Sequence, residues 1–178
     1  AIGAIAGGVL GSIIGQRMDQ QAKDLEKVPG VETVSVNQET QKIETQMNVL
    51  FDTNKYDVKS SEAAKLDELA NVFAKYPENI VVIEGHTDSD GSDQHNQSLS
   101  ENRAAAIEAY LRAKNLNIAS ISSAGYGESR PVASNDMPAN KAKNRRVEIK
   151  ISVDQSRVPQ QQPTTTPQPT GTPSPSGS

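Results

Sequence analysis

The segment NIVVIEGHTDSDGSDQHNQSLSENRAAAIEAYLRAKN, residues 79–115, contains the patterns of a strand, a polar loop and a helix in immediate succession. Residues 79–85 are mostly apolar, which is typical of a strand in the middle of a sheet. Residues 98–115 place apolar side chains at steps of three and four, which predicts a helix that Ser98 or Ser100 can cap. A strand followed by a helix in this way predicts a crossover connection to another strand of the same sheet.

Strand and helix patterns also lie on both sides of this segment. They comprise strands at 31–37, 42–51, 119–127 and 144–153, and a helix at 60–77. The first two strands alternate apolar and polar side chains, and the residues Gln38–Gln41 between them predict a hairpin turn. We therefore predict an α+β fold over residues 31–153, a two-layer sandwich with the helices packed on one side of a sheet.

The two ends of the chain differ from this region in composition. In residues 1–15 a glycine recurs at every fourth position from Gly3 to Gly15, which places the glycines on one face of a helix. Such a face favours close helix packing in lipid, although the stretch is shorter than the ~20 residues that span a bilayer. The alternative is a flexible Gly/Ala linker. A polar helix follows as far as residue 28, and the Pro/Thr/Ser-rich residues 154–178 predict a disordered tail.

The bulk composition excludes several classes of function. With a net charge of −4, the chain is not expected to hold nucleic acid through phosphate contacts. It contains no cysteine, which excludes disulfides, thiolate metal sites and a cysteine nucleophile. It begins with Ala rather than Met, so we expect a mature or trimmed fragment, and the sequence does not show whether a signal peptide or a lipidated cysteine preceded Ala1.

Two arginines interrupt predicted apolar faces. Arg103 lies in the helical stripe of Leu99, Ile107 and Leu111. Arg145 has the strand parity of Val147, Ile149 and Ile151, whereas Arg146 has the opposite parity and is predicted to face solvent. Asp88 follows the apolar strand, where open α/β sheets place ligand sites. We expect Asp88, Arg103 and Arg145 to converge, either as a site for a zwitterionic ligand or as a buried ion pair of Asp88 with Arg103.

Other kinds of site fit the sequence less well. A calcium-binding EF-hand loop starting at Asp88 fails, because glycine is fourth rather than sixth and position twelve is Leu99. His86 and His95 are separated by a loop and a helix start, so we do not predict that they bind a metal together, and His86 is interpreted as a structural residue. The region has no recognisable catalytic triad, and we predict neither an enzyme nor a cofactor.

The residues named above resemble a known signature. The sequence GHTDSDGSDQHNQSLSENRA, residues 85–104, is similar to the signature of OmpA-like peptidoglycan-binding domains, the family of OmpA, Pal and MotB C-terminal domains. The shared positions are Gly85–Asp88, Gly91, Asn96, Leu99–Ser100 and Arg103–Ala104. The resemblance continues through residues 125–135 and 144–149 and back to VLFDTNKYDVK, residues 49–59, so it covers about residues 42–153.

This resemblance implies a βαβαββ sandwich that binds peptidoglycan through the meso-diaminopimelate of the stem peptide. By resemblance, Asp88 and Arg103 are the paired ligand residues. The supporting contacts correspond to Phe51, Asn54, Thr87 and Arg145. The chain departs from the family pattern at Asn140-Lys141, where many members have Gly-Arg, and in the extra acidic residues Asp90 and Asp93.

The resemblance also implies a location and partners. The N-terminal glycine pattern is similar to the glycine zipper of outer-membrane lipoproteins of the YiaD type, in which it precedes an OmpA-like domain. We expect a non-catalytic module on the periplasmic face of the outer membrane of a Gram-negative bacterium, attached through the N-terminal segment or an upstream lipid. The alternative is a component of an envelope machine, a stator or secretion anchor, whose main partner is a protein. The glycine zipper can also support a homo-oligomer.

Overall fold

The structure, a computed structural model, describes residues 9–160. Gly3, Gly7 and most of the predicted tail lie outside this range, so the complete glycine zipper and the disorder of the tail stay predictions. The elements are α1 (Val9–Glu26), β1 (Val31–Asn37), β2 (Lys42–Met47), α2 (Ser60–Phe73), β3 (Asn79–His86), α3 (Asp93–Arg112), β4 (Ser120–Gly125), α4 (Pro138–Asn144) and β5 (Arg146–Val153).

The strands form one sheet in the order β1-β2-β5-β3-β4. β3 and β4 are parallel and are joined by the crossover helix α3, whereas the other neighbouring pairs are antiparallel. The buried apolar side chains of the strands alternate along the chain and lie on one face of the sheet, where α1, α2 and α3 complete the core. On the strands these are Ile43, Met47, Val81, Ile83, Ile121, Val147, Ile149 and Ile151. The predicted two-layer α+β fold and the β1–β2 hairpin are confirmed.

α1 belongs to this core. Its buried side chains Ile14, Met18 and Leu25 recur at helical spacing, so one face of this mostly polar helix is apolar. Gly15 faces the β1–β2 hairpin, where a Cβ would lie 3.0 Å from Oε1 of Gln38. The described part of the glycine face therefore packs within the molecule at Gly15.

α3 begins earlier than predicted. Its N-cap is Ser92, whose hydroxyl accepts a hydrogen bond from the His95 amide, and the preceding Gly91 has a φ of +94°. The first turns therefore consist of the polar residues 93–98, which lack the apolar periodicity on which the prediction relied. Gly85 lets this part of α3 lie close to β3, because a Cβ there would overlap the carbonyl oxygen of Ser100.

The chain stays ordered beyond β5. Residues Gln155–Arg157 form a 3₁₀ helix, and Val158 is buried in the core. Arg157 Nε donates to the carbonyl of Pro77 at 2.9 Å, so these first residues of the predicted tail are part of the folded unit. None of the helices described between residues 9 and 160 combines the length and apolar character that a bilayer crossing requires.

Candidate ligand-binding cleft

A cleft of about 770 Å³ opens at the C-terminal end of β3. Its walls come from the segment after β2, the loop between β3 and α3, the first turns of α3 and the start of β5. All six predicted site residues line it: Phe51, Asn54, Thr87, Asp88, Arg103 and Arg145. The convergence that the sequence predicts is therefore present in the fold.

Asp88 is the buried acidic group of the cleft and is only 6% exposed. Its Oδ1 accepts a hydrogen bond from the amide of Asp90 at 2.9 Å, and its Oδ2 lies 2.5 Å from Nη1 of Arg145. Its backbone carbonyl accepts from the hydroxyl of Thr87 and from Nδ2 of Asn96. These contacts hold a buried carboxylate in one orientation at the strand end.

Arg103 is held separately from Asp88. Its Nε and Nη2 donate to the carbonyls of Lys55 and Asp52 at 3.0 and 3.3 Å, and its guanidinium lies 5.0 Å from the centre of the Phe51 ring. Burial and the positive charge of Arg145 lower the pKa of Arg103, and Asp88 acts in the opposite direction. The ion pair of Asp88 is thus with Arg145, not with Arg103.

The structure corrects the two arginines at the start of β5. Arg145 does not lie on the apolar face of the strand, because it is the C-terminal cap of α4 and its side chain is 50% exposed. Arg146, predicted to face solvent, is buried instead. Its guanidinium bonds to Glu148 and to the carbonyls of Asn144 and Arg130. Strand parity failed here because the unpredicted α4 ends directly before β5, and the loop around Arg130 covers the outer face of the sheet.

Asn54 connects the segment after β2 to α3. Its backbone has a φ of +57°, a conformation that Asn tolerates better than most residues. Its Oδ1 lies 3.0 Å from Nε2 of His95. This role of His95, which was weighed only as a metal ligand, could not be predicted, because nothing in the sequence pattern places residues 54 and 95 together.

A second ion pair crosses the edge of the cleft. Nζ of Lys141 on α4 lies 2.8 Å from Oδ1 of Asp90, and this hydrogen bond raises the pKa of Lys141. The two charges thus neutralise each other between α4 and the loop after β3. The sequence offers no local signal for the pair, because the two residues are far apart in the chain.

The cleft can therefore recognise both signs of charge. A buried carboxylate lies at the strand end, and two guanidinium groups, Arg103 and Arg145, line the same cavity. Phe51 and Leu99 add apolar surface. This arrangement is complementary to a small group that carries an ammonium and a carboxylate.

Known proteins resemble this chain in sequence and fold. Outer membrane porin F of Pseudomonas aeruginosa is 39% identical over 113 residues, which are 63% of this chain and 32% of porin F. The probable lipoprotein YiaD of Escherichia coli is 38% identical over 146 residues, 80% of this chain and 66% of YiaD. The chain thus spans about a third of the porin and two thirds of the lipoprotein.

A crystal structure shows the same fold. The peptidoglycan-associated lipoprotein of Burkholderia pseudomallei superimposes with a TM-score of 0.53 at 29% identity, over 58% of this chain and 88% of that chain. These relatives are proteins of the outer membrane and cell envelope. The sequence model of the OmpA family matches residues 50–145, more than half of the chain and all six predicted site residues, and the chain therefore belongs to the OmpA family.

Proposed function

We propose that the cleft binds peptidoglycan through the meso-diaminopimelate of its stem peptide and catalyses no reaction. The chain would thereby attach the outer membrane to the cell wall, with the membrane attachment on the N-terminal side of α1. Membership of the OmpA family and the likeness to a peptidoglycan-associated lipoprotein support peptidoglycan as the ligand. The observation that carries the proposal is the presence of Asp88 and Arg103 in one cleft, each held by its own partners.

Diaminopimelate matches this charge pattern at its distal end, which carries an ammonium and a carboxylate. Each oxygen of Asp88 has two acceptor positions, so the carboxylate can take an ammonium while it keeps the Asp90 amide and Arg145. Nη1 of Arg103 makes no hydrogen bond to another residue in the range 9–160 and can donate to the ligand carboxylate. Backbone amides near Asp88 complete the proposed site.

The test is sedimentation of the full-length chain with purified sacculi. We expect Asp88→Asn and Arg103→Met to weaken binding about tenfold or more, because each removes a charge-assisted contact at similar side-chain size. Asp93→Asn is the matched control, since Asp93 is an exposed carboxylate at the start of α3. Equal sedimentation of all four proteins would place the wall contact elsewhere, and no sedimentation of the wild type would favour a protein partner in an envelope machine.

A second comparison tests the diaminopimelate itself. Sacculi whose stem peptides contain lysine in place of diaminopimelate keep the ammonium and lack the distal carboxylate. We expect the wild type to prefer diaminopimelate-type sacculi and Arg103→Met to lose this preference. If the wild type binds both types of sacculi equally while Asp88→Asn binds neither type, the ligand is peptidoglycan, but Arg103 does not bind the distal carboxylate.

A further inference from the structure

The outer face of the sheet, opposite the helices, contains a second cluster of polar side chains. Glu84 and His86 of β3 and Glu148 of β5 each offer a ligand atom, and these atoms all lie within 4.8 Å of one another. The His86 side chain is only 1% exposed. His86 also borders the cleft, but none of the three side chains is among the proposed contacts to peptidoglycan.

The unpaired atoms of the cluster face each other. Within the part of the chain that the structure describes, neither ring nitrogen of His86 has a hydrogen-bond partner, and neither does Oε2 of Glu84. Nε2 of His86 lies 3.5 Å from Oε2 of Glu148, longer than a normal hydrogen bond. Buried polar atoms without partners are costly, so an ion that bonds one ring nitrogen of His86 together with the two glutamates would stabilise this face.

Neighbouring side chains already orient the three groups. The second oxygen of Glu148 accepts from Nε of Arg146 at 2.9 Å, and the second oxygen of Glu84 lies 3.7 Å from Nη1 of Arg130. The His86 ring is stacked on Tyr126 with a centroid distance of 5.6 Å. One oxygen of each carboxylate therefore has an arginine partner outside the cluster, and such outer partners orient the ligands of metal sites.

We propose that Glu84, His86 and Glu148 form a binding site for a divalent transition-metal ion, with zinc as its natural occupant. Zinc takes imidazole nitrogen and carboxylate oxygen at about 2.0–2.2 Å, so tetrahedral ligand atoms lie roughly 3.4 Å apart. The 3.5 Å between His86 and Glu148 meets this spacing, and Glu84, whose ligand atom lies within 4.8 Å of the other two, completes the set by moving toward them. Three protein ligands leave the fourth position to water.

Lys150 is the competitor of the metal. Its ammonium lies 3.5 Å from Oε2 of Glu148, 4.0 Å from Oε2 of Glu84 and 3.3 Å from Glu44. The lysine thus neutralises the same two oxygens that the ion would use. Because its side chain is long and partly exposed, it can move into solvent when the ion binds. This competition makes the site weaker than one without the lysine.

Zinc binding can be assigned to individual residues in this chain, because it contains only two histidines and no cysteine. Untagged full-length protein is titrated with zinc chloride by calorimetry, and Co²⁺ replaces zinc for visible absorption spectroscopy. We expect one ion per chain, a shift of the His86 ring signals in the NMR spectrum and none for His95. Glu84→Gln and Glu148→Gln should weaken binding about tenfold or more, while Lys150→Met should tighten it by a similar factor.

The controls separate this site from the cleft. His95→Gln should bind zinc as the wild type does, and circular dichroism of the unliganded variants checks that they are folded. The proposal fails if neither the wild type nor Lys150→Met binds zinc in excess, if the His95 signals shift instead of those of His86, or if both folded glutamine variants bind as the wild type does. Should a glutamine variant not fold, the histidine signals and Lys150→Met still decide the outcome.

Discussion

The contact between Asp88 and Arg145 joins two residues of unequal exposure. Asp88 is buried, so its charge depends on the Asp90 amide and on the guanidinium. Arg145 is half exposed and can leave without a large desolvation cost of its own. The pair therefore stabilises the buried carboxylate in the unliganded cleft.

A double-mutant cycle measures this contact. We expect Arg145→Met to lower the free energy of unfolding by about 1–3 kcal/mol, because it leaves a buried carboxylate with a single partner. Asp88→Asn removes the charge that needs the arginine. The double variant should therefore be more stable than additivity predicts by roughly 1 kcal/mol or more in urea unfolding. Additive effects would mean that Arg145 does not stabilise the Asp88 carboxylate.

At the scale of single residues, the sequence predicted which residues line the cleft better than it predicted their partners. Asp88, Arg103 and Arg145 stood out because charged residues occupied a strand end and predicted apolar positions. The pairing of Asp88 with Arg145 rather than Arg103 depends on where β5 begins, and strand boundaries are the least certain part of such predictions. The same boundary explains the wrong prediction for the two arginines: β5 begins at Arg146, so Arg145 is half exposed before the strand and Arg146 is buried within it.

Among the elements, the segment after β2 depends on α2 for its position. Oε2 of Glu62 accepts hydrogen bonds from the amide of Leu50 at 3.1 Å and from Nζ of Lys65 at 2.8 Å. Nζ of Lys65 also donates to the carbonyl of Asn48. The first turn of α2 thus fixes the start of the segment that carries Phe51 into the cleft.

This arrangement predicts a dependence of stability on pH. Burial of Glu62 would raise its pKa, but the bonds from Lys65 and the Leu50 amide outweigh burial and hold the pKa below the ordinary value of 4.5. A depressed pKa means that the unfolded state binds protons first as the pH falls. The contribution of Glu62 is therefore fully present well above pH 4.5 and is lost as the pH falls from there toward the folded-state pKa.

We expect Glu62→Gln to lower the free energy of unfolding by about 1 kcal/mol at neutral pH and to flatten its decline in acid. Urea unfolding at a series of pH values measures both effects. Glu68→Gln is the control, because Glu68 lies on the exposed side of the same helix. An unchanged acid slope in Glu62→Gln would show that other carboxylates dominate acid unfolding.

The elements that sequence patterns missed share a physical reason. α4 has the sequence PANKAKN, which contains no large apolar residue, so no periodicity marks it as a helix. The first turns of α3 are polar for the same reason. α4 and the first turns of α3 both lie at the cleft, where their side chains contact loops instead of packing in the core. The strands and the apolar parts of α2 and α3 were predictable because their side chains build the core.

For the molecule as a whole, α1 and the sheet share one hydrophobic core. Polar contacts also join α1 to the connection between α2 and β3, since Nε of Arg17 lies 2.5 Å from Oε1 of Glu78 and the hydroxyl of Tyr76 donates to Asp24 at 2.9 Å. The sequence suggested a polar helix separate from the domain, because its apolar residues are sparse. They lie on a single face, however, and that face covers the sheet beside β1.

A pair of leucines on α1 tests whether this packing stabilises the fold. Leu25 is fully buried, whereas Leu10 is 37% exposed on the same helix. We expect Leu25→Ala to lower the free energy of unfolding by about 2–5 kcal/mol, because it leaves a cavity in the shared core. Leu10→Ala, which removes the same atoms from the surface, should change it by no more than about 0.5 kcal/mol. Chemical unfolding of the full chain, followed by circular dichroism, compares the two.

If both substitutions leave the main transition unchanged, α1 unfolds independently, and residues 1–28 form a separate unit as the composition predicts. A loss confined to Leu25→Ala would instead make α1 a stabilising part of the binding domain.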